Sequence, residues 1–265
     1  MTVNMKLSVE ILDHIFSFLV LNNYKTLRDC SEDPVLSPIV ERHLFYSLVV
    51  HINHRWPDPH SFTPDMLSKI VLDNPRILYH VRLLTIKIGS EVDGPFEEFA
   101  KTLVKFPLLE YIVLTGSSQD PVSWPYVFRS ALEDRLNLPT IEAVHLIGDD
   151  YPLSLFDCCK DIKKLCFLRS FGGGEGQDLF EIQPKLQSLT LCIDSISLPF
   201  LTWIKLNIEG LQSLTCGLAL SEGQKPLSEF LGVCSESLKE LDIDLEQTDC
   251  KVSFYFDGHI LTGIY

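Results

Sequence analysis

The 265-residue chain has few basic residues and no long apolar run, and each shortage disfavours a class of function. Lysine and arginine together number 22 against 36 acidic residues, so the net charge is −14. Affinity for a nucleic-acid backbone comes mainly from Lys and Arg, and no nucleic-acid partner is expected. The longest apolar stretch runs through residues 15–21, which is far too short to span a bilayer. No membrane partner is expected either.

The eight cysteines show none of the regular spacings of a disulfide framework. Several of them lie inside strand-like segments, which is typical of reduced thiols in the cytoplasm or the nucleus. The first six residues begin polar and an acidic helix follows soon after, so this start does not resemble a secretion signal. We therefore expect a soluble protein of the cytoplasm, the nucleus or both.

The first fifty residues have the pattern of short helices. Ser8 is a good N-cap for a helix over residues 9–20, because its hydroxyl can accept a backbone N–H that the helix leaves unpaired. The apolar residues of this segment cover more than the single stripe of a helix lying on one core. Further helices are predicted at residues 25–30 and 36–44. A loop rich in Pro and His, residues 51–64, is predicted to be the linker to a second unit.

Beyond that loop, apolar residues recur at positions 1, 4 and 6 of seven short segments. The segments are Val81/Leu84/Ile86, Leu109/Ile112/Leu114, Ile141/Val144/Leu146, Ile162/Leu165/Phe167, Leu186/Leu189/Leu191, Leu211/Leu214/Cys216 and Leu238/Leu241/Ile243. Their starts are 28, 32, 21, 24, 25 and 27 residues apart. Leucine-rich repeats have periods of roughly 20–29 residues, each with a strand that lines a horseshoe.

The spacers between these segments support a repeat architecture. Residues 95–107 carry a helical apolar stripe after a proline, and residues 124–136 and 226–234 behave in the same way. The predicted fold is α/β: a helical module at 1–50, a linker at 51–64 and a solenoid with a parallel sheet at 65–265. A coincidental α/β pattern is the alternative. The strand-like residues 252–265 leave open that further repeats follow.

Residues 7–20, LSVEILDHIFSFLV, resemble the opening of an F-box, Leu-Pro-x-Glu-Ile/Leu-x-x-x-Ile-x-x-x-Leu. Residues 26–31 (TLRDCS) and 41–50 (ERHLFYSLVV) resemble later parts of the F-box proteins that are abundant in mushroom-forming fungi. Ser8 stands where the family has proline. The tryptophan expected between Ser31 and Glu41 is absent.

The resemblance implies a substrate-recognition subunit of a cullin-type ubiquitin ligase that performs no bond chemistry itself. The N-terminal helices would bind the adaptor subunit, and the repeats would bind a target protein. The adaptor-binding residues that it implies are Leu7, Ser8, Glu10, Ile11, Ile15, Leu19, Leu27 and Leu44.

Alternation along a strand predicts which residues of the solenoid face away from its core. Positions 3, 5 and 7 of each repeat point to the concave side. The predicted target-binding strip contains Thr85, Lys87, Val113, Thr115, His145, Cys166, Thr190, Thr215, Asp242 and Asp244. It is neutral over most of its length and acidic at its end, so a basic part of a target would lie there. Plain solvent-compatible strand residues are the alternative interpretation.

Three sequence features resemble chemical sites but lack what the chemistry requires. His51, His54, Asp58 and His60 lie in one proline-broken loop, which is a poor cage for zinc. The glycines at 172–174 and 176 are followed by Gln177 rather than by the Lys of a phosphate-binding loop. Cys158 and Cys159 are adjacent rather than spaced as C-x-x-C. We expect no metal, no cofactor and no catalytic residue.

Two further hypotheses stay open beside the ubiquitin-ligase receptor. The chain could be a repeat-type interaction scaffold whose N-terminal helices merely cap the solenoid, as terminal units of repeat proteins must. It could also be an α/β hydrolase or a nucleotide-using enzyme, although the sequence offers no converging catalytic groups. Exposure of Ile11, Ile15 and Leu19 in the folded chain separates the receptor from the scaffold.

Overall fold

The computed structural model describes most of the chain between Ser8 and Ile264. The described residues are 8–22, 26, 29–33, 36–52, 61–89, 94–116, 124–148, 151, 155, 158–168, 185–192, 208–218, 231–245, 250–257 and 260–264. The named helices are α1 (Val9–Asn22), α2 (Ser37–Leu44), α3 (Pro64–Asp73), α4 (Phe96–Leu103) and α5 (Tyr126–Leu136), with a 3-10 helix at Pro75–Tyr79.

Within the described residues, ten strands form one sheet in which each strand lies beside its neighbour in sequence. They are β1 (Ser47–Ile52), β2 (Leu83–Ile88), β3 (Tyr111–Gly116), β4 (Ala143–Ile147), β5 (Lys164–Leu168), β6 (Ser188–Cys192), β7 (Ser213–Leu218), β8 (Glu240–Leu245), β9 (Cys250–Asp257) and β10 (Ile260–Ile264). Strands β1 to β8 are all parallel. The structure therefore confirms the α/β class with an open parallel sheet, in a solenoid-like arrangement.

The repeat positions in the sequence correspond to rows that run across the sheet. Position 4 forms a buried row from Leu84 through Ile112, Val144, Leu165, Leu189 and Leu214 to Leu241. The position 6 residues from Ile86 to Cys216 form a second buried row on the same face. Helices α3, α4 and α5 supply Leu67, Phe99 and Phe128 to the same continuous core. Helices α3, α4 and α5 thus pack on one face of the sheet, and α4 and α5 lie within the spacers predicted to be helical at residues 95–107 and 124–136.

The strand β1 was missed by the sequence interpretation, which counted repeats only from Val81. Phe45, Leu48 and Val50 occupy positions 1, 4 and 6, but they begin 36 residues before Val81. That interval exceeds the usual repeat period and conceals the relationship. Strand β1 crosses the predicted domain boundary at residue 50. The predicted linker 51–64 is joined to the sheet at both ends, since the His51 amide donates to the Phe62 carbonyl at 2.9 Å.

The end of the sheet also differs from a purely parallel prediction. Strand β9 pairs antiparallel with β8, and β10 pairs antiparallel with β9. The last two strands therefore form a hairpin rather than a further repeat. Among the described helices, none has both the length and the apolar character needed to cross a membrane.

Candidate functional site

Helix α1 begins with the cap that the sequence predicts. The Ile11 amide donates to the Ser8 hydroxyl at 3.4 Å, which pairs one of the free N–H groups of the first turn. The pKa of Glu10 is lowered by a hydrogen bond from its own backbone amide and by one from the Ser8 hydroxyl. A carboxylate is also favourable at the positive end of a helix dipole. Serine thus starts the helix at the position where an F-box has proline.

Helices α1 and α2 share a small core that is separate from the core of the sheet. Phe16 of α1 is buried against Val40 and Leu44 of α2. Partly buried apolar side chains surround these three: Leu12, Leu19, Cys30, Leu36, Ile39 and Phe45. Phe45 also packs against the core of the sheet and joins the two clusters. The helical pair therefore has an apolar interior of its own.

A second apolar face of α1 is exposed. Ile11, Ile15 and Phe18 are 49%, 40% and 63% exposed. Their spacing of four and three residues places them on one stripe of the helix. At 3.6 residues per turn, this stripe lies about 100° around the helix from the face that holds Leu12 and Phe16. Helix α1 thus carries one apolar face covered by α2 and a second that faces solvent.

The structure separates the predicted adaptor-binding residues into two groups. Ser8, Glu10, Ile11 and Ile15 are exposed, as an interface requires. Leu44 is only 8% exposed and packs in the small core, so its assignment to a surface is corrected. Leu19 is half-buried against the same core, so most of its side chain packs inside the helical pair and only part of it is accessible to a partner.

Phe18 is the functional candidate that the sequence interpretation did not select. It is the most exposed of the three stripe residues, and the helical spacing from Ile11 and Ile15 could have identified it. The family pattern drew attention to Leu19 instead. Leu7 and Leu27 lie outside the described residues.

A charged cluster joins α1 to α2 beside the small core. One oxygen of the Asp13 carboxylate accepts hydrogen bonds from the Arg42 guanidinium and from His43 Nε2, the latter at 2.7 Å. The His43 ring also lies near the Phe16 ring, with centroids 6.3 Å apart. The hydrogen bond from Arg42, and after it the one from His43, lowers the pKa of Asp13. We call these three residues the Asp13 latch.

The lowered pKa of Asp13 predicts how acid affects the α1–α2 pair. A carboxyl group whose pKa is lower in the folded state stabilises that state above its unfolded pKa, and this contribution is lost as the pH falls through the folded pKa. Wild type should therefore be more stable than Asp13→Asn near neutral pH. The difference should shrink below the ordinary Asp range. Thermal melts of both proteins across this range test the prediction, and a constant difference would contradict it.

The face of the sheet opposite the helices carries the predicted target-binding strip. Thr85, Val113, His145, Cys166, Thr190, Thr215 and Asp242 are register partners on successive strands, so they form one continuous row. Lys87 pairs with Thr115 in a neighbouring row, and Asp244 lies in that row at the other end. Strands lie about 4.8 Å apart, so the row from β2 to β8 is about 29 Å long. The structure thus brings the predicted strip residues onto one surface.

This surface is more apolar near β1 to β4 than the predicted strip suggested. Leu83, Tyr111 and Ile147 are half-exposed there, as is Val49 of the unpredicted strand β1. Leu83 and Tyr111 occupy position 3 of their repeats, which alternation assigns to the same side as Thr85. The ten residues of the predicted strip include none from position 3. The half towards β8 carries hydroxyl groups and then the exposed carboxylates of Glu240 and Asp242.

Two titratable residues lie at the middle of the strip. Burial, and after it the charge of Lys164, lowers the pKa of His145. Burial raises the pKa of the Cys166 thiol. Both shifts favour the uncharged forms of these two side chains, while Lys164 adds a positive charge beside them. Shifts in these directions disfavour the thiolate–imidazolium pair of an activated nucleophile.

No disulfide joins the cysteines whose side chains the structure describes. Burial raises the pKa of Cys216 to about 12, and it raises the pKa of Cys234 as well. Cys159 is fully buried, while Cys158 is half-buried against the core of the sheet. Within the described parts of the chain, no three His, Cys, Asp or Glu side chains gather in a way that could hold a metal ion.

The rim of the strip carries pairs of oppositely charged residues. Arg82 and Glu110 are 3.1 Å apart, and Lys163 and Glu142 are 2.8 Å apart, each pair joining neighbouring repeats. The hydrogen bond to Lys163 lowers the pKa of Glu142. Exposed ion pairs of this kind contribute little to stability. They leave the rim close to neutral between β2 and β5.

No protein-family model and no curated protein matches this chain. A functional assignment therefore depends on the geometry of the α1 stripe and of the sheet face.

Proposed function

We propose that this chain is the substrate receptor of a cullin-type ubiquitin ligase, with an F-box-like helical module and degenerate leucine-rich repeats. Helices α1 and α2 would bind the adaptor subunit, and the exposed face of the sheet would bind a target protein. The receptor would perform no bond chemistry of its own. The F-box-like sequence motif at residues 7–20 and the recurring apolar positions of the leucine-rich-repeat-like segments support this proposal.

The exposed stripe of α1 is the observation that carries the proposal. A helix that only capped the solenoid would bury its apolar residues against the rest of the chain. Helix α1 instead buries Phe16 against α2 and leaves Ile11 and Ile15 exposed, with Phe18 63% exposed beside them. Contiguous exposed apolar side chains commonly mark the surface that binds a partner. The stripe also includes two of the residues that the F-box resemblance assigns to the adaptor contact.

The target would lie across the strands on the exposed face of the sheet. Apolar side chains of a target would contact the surface around Leu83, Tyr111 and Val113. Its basic side chains would lie near Glu240 and Asp242, because opposite charges on facing surfaces steer and orient association. This arrangement supports a target segment with an apolar part and a basic part.

Co-expression with the adaptor subunit of a cullin-type ubiquitin ligase tests the proposed function. We expect a stable one-to-one complex that survives size-exclusion chromatography. A folded, monomeric chain that elutes separately from the adaptor would overturn the proposal. The interaction-scaffold hypothesis would then replace it.

Charge reversal at β8 tests the proposed orientation of the target. The variant Glu240→Lys/Asp242→Lys changes two exposed side chains and should leave the fold intact. A display library of random short peptides should yield sequences with Lys or Arg at one end on wild type. The variant should select against these residues and favour Asp or Glu. Selection of the same sequences by both proteins would contradict the orientation.

A further inference from the structure

Among the described elements, helix α1 packs mainly against α2. The fully buried apolar side chains of that contact are Phe16, Val40 and Leu44. These three side chains and the partly buried ones around them form a small core. Directional contacts beside this core restrict the rotation of α1 further.

The Asp13 latch supplies such directional contacts. The Asp13 carboxylate receives two charge-assisted or polar hydrogen bonds from consecutive residues of α2, Arg42 and His43. The His43 side chain is only 16% exposed, and its ring lies beside the buried Phe16 ring. The latch is therefore anchored to the small core on one side and to α1 on the other.

We propose that Asp13 is a positioning residue that holds α1 in the rotation at which Ile11, Ile15 and Phe18 face a partner. The inference rests on the proposed function, because the partner is the adaptor subunit. Hydrogen bonds to a charged group are directional and stronger than neutral ones, so they resist rotation of α1 on α2.

Asp13 acts through α1 rather than by contact with the partner. At 3.6 residues per turn, its side chain leaves the helix about 170° away from the middle of the exposed stripe. A partner seated on Ile11, Ile15 and Phe18 would not reach it. Loss of the latch would lower the fraction of chains in the binding orientation, and apparent affinity falls in proportion to that fraction.

Adaptor titrations of wild type and latch variants test the proposal. We expect Asp13→Ala to weaken the affinity about fivefold, the upper range for an exposed ion pair. Amide exchange within residues 9–22 should accelerate in this variant, while exchange in Leu83–Ile88 should stay unchanged. The charge swap Asp13→Arg/Arg42→Asp should restore both measurements, because it places opposite charges at the same two positions of α1 and α2. Asp65→Ala, a charge loss at the exposed first turn of α3, is the matched control.

Each outcome bears on the proposal. An Asp13→Ala variant that binds like wild type would overturn it, as would a charge swap that binds no better than the single variant. If Asp13→Ala does not fold, Asp13→Asn keeps the side-chain shape and takes its place. If wild type itself does not bind the adaptor, the proposed function is wrong, and Asp13 then has no role in adaptor binding. The exchange rates in α1 then still decide whether the latch holds the helix.

Discussion

Replacement of Ile11 and Ile15 by aspartate is expected to abolish binding to the adaptor subunit. Both side chains lie on the exposed stripe of α1 and outside the two apolar clusters of the chain. In the free protein the new carboxylates would face water. In the complex they would be buried without partners, at a cost of several kcal/mol. A loss of about 3 kcal/mol already weakens binding more than a hundredfold.

Titration calorimetry with the purified adaptor measures this effect. Leu72→Asp is the matched control, because Leu72 is also an exposed apolar residue, at 71%, but lies on α3. The control should bind like wild type. Thermal melts should show that both variants fold. A folded Ile11→Asp/Ile15→Asp protein that keeps the wild-type affinity would show that the stripe is not the docking surface.

Truncation of Phe128 to alanine is expected to have the largest effect on stability. Phe128 is fully buried on α5, and its ring lies 5.2 Å from that of Phe96, 6.0 Å from that of Phe99 and 5.4 Å from that of Trp124. Removal of a buried phenylalanine costs about 3–5 kcal/mol, through lost transfer energy and the cavity left behind. Chemical denaturation of wild type and Phe128→Ala measures this loss.

Tyr126→Ala provides the control for this variant. Tyr126 lies on the same helix but is 75% exposed, so its truncation should change the free energy of unfolding by no more than about 0.5 kcal/mol. Equal losses in the two variants would contradict the packing of α5 on α4 and the sheet. Because α1 and α2 have a separate core, Phe128→Ala should still bind the adaptor under conditions where it is folded.

The strands that follow a regular repeat were predictable from the sequence. Positions 4 and 6 identify most of the buried residues of β2 to β7, because side chains alternate between the two faces of each strand. Strand β1 was not predicted, because the interval between Phe45 and Val81 is longer than the repeat period. The antiparallel hairpin of β9 and β10 was not predicted either, because it does not follow the repeat pattern.

The candidate site was predictable only in part. The sequence shows that α1 has too many apolar residues for one buried face. It does not show which face α2 covers, since that depends on where Val40 and Leu44 lie in space. The family pattern assigned Leu19 and Leu44 to the adaptor contact, whereas the packing leaves Phe18 on the surface.

The Asp13 latch could not be found by reading along the chain. Asp13 is separated by 29 and 30 residues from Arg42 and His43, and no motif links them. Only the packing of α2 against Phe16 brings these residues together. The apolar patch near β1 to β4 was hidden for a related reason, because it needs the unpredicted strand β1 beside Leu83.

Amide hydrogen exchange of the full chain, with and without the adaptor subunit, tests whether α1 docks on the adaptor. If the chain is a substrate receptor, exchange should slow on adaptor binding in residues 9–22 and 37–44. Exchange in β2 to β8 should stay unchanged, since the sheet would bind the target instead. Protection of the strands with no change in α1 would contradict the proposed function, because the exposed stripe of Ile11, Ile15 and Phe18 would then have no part in docking.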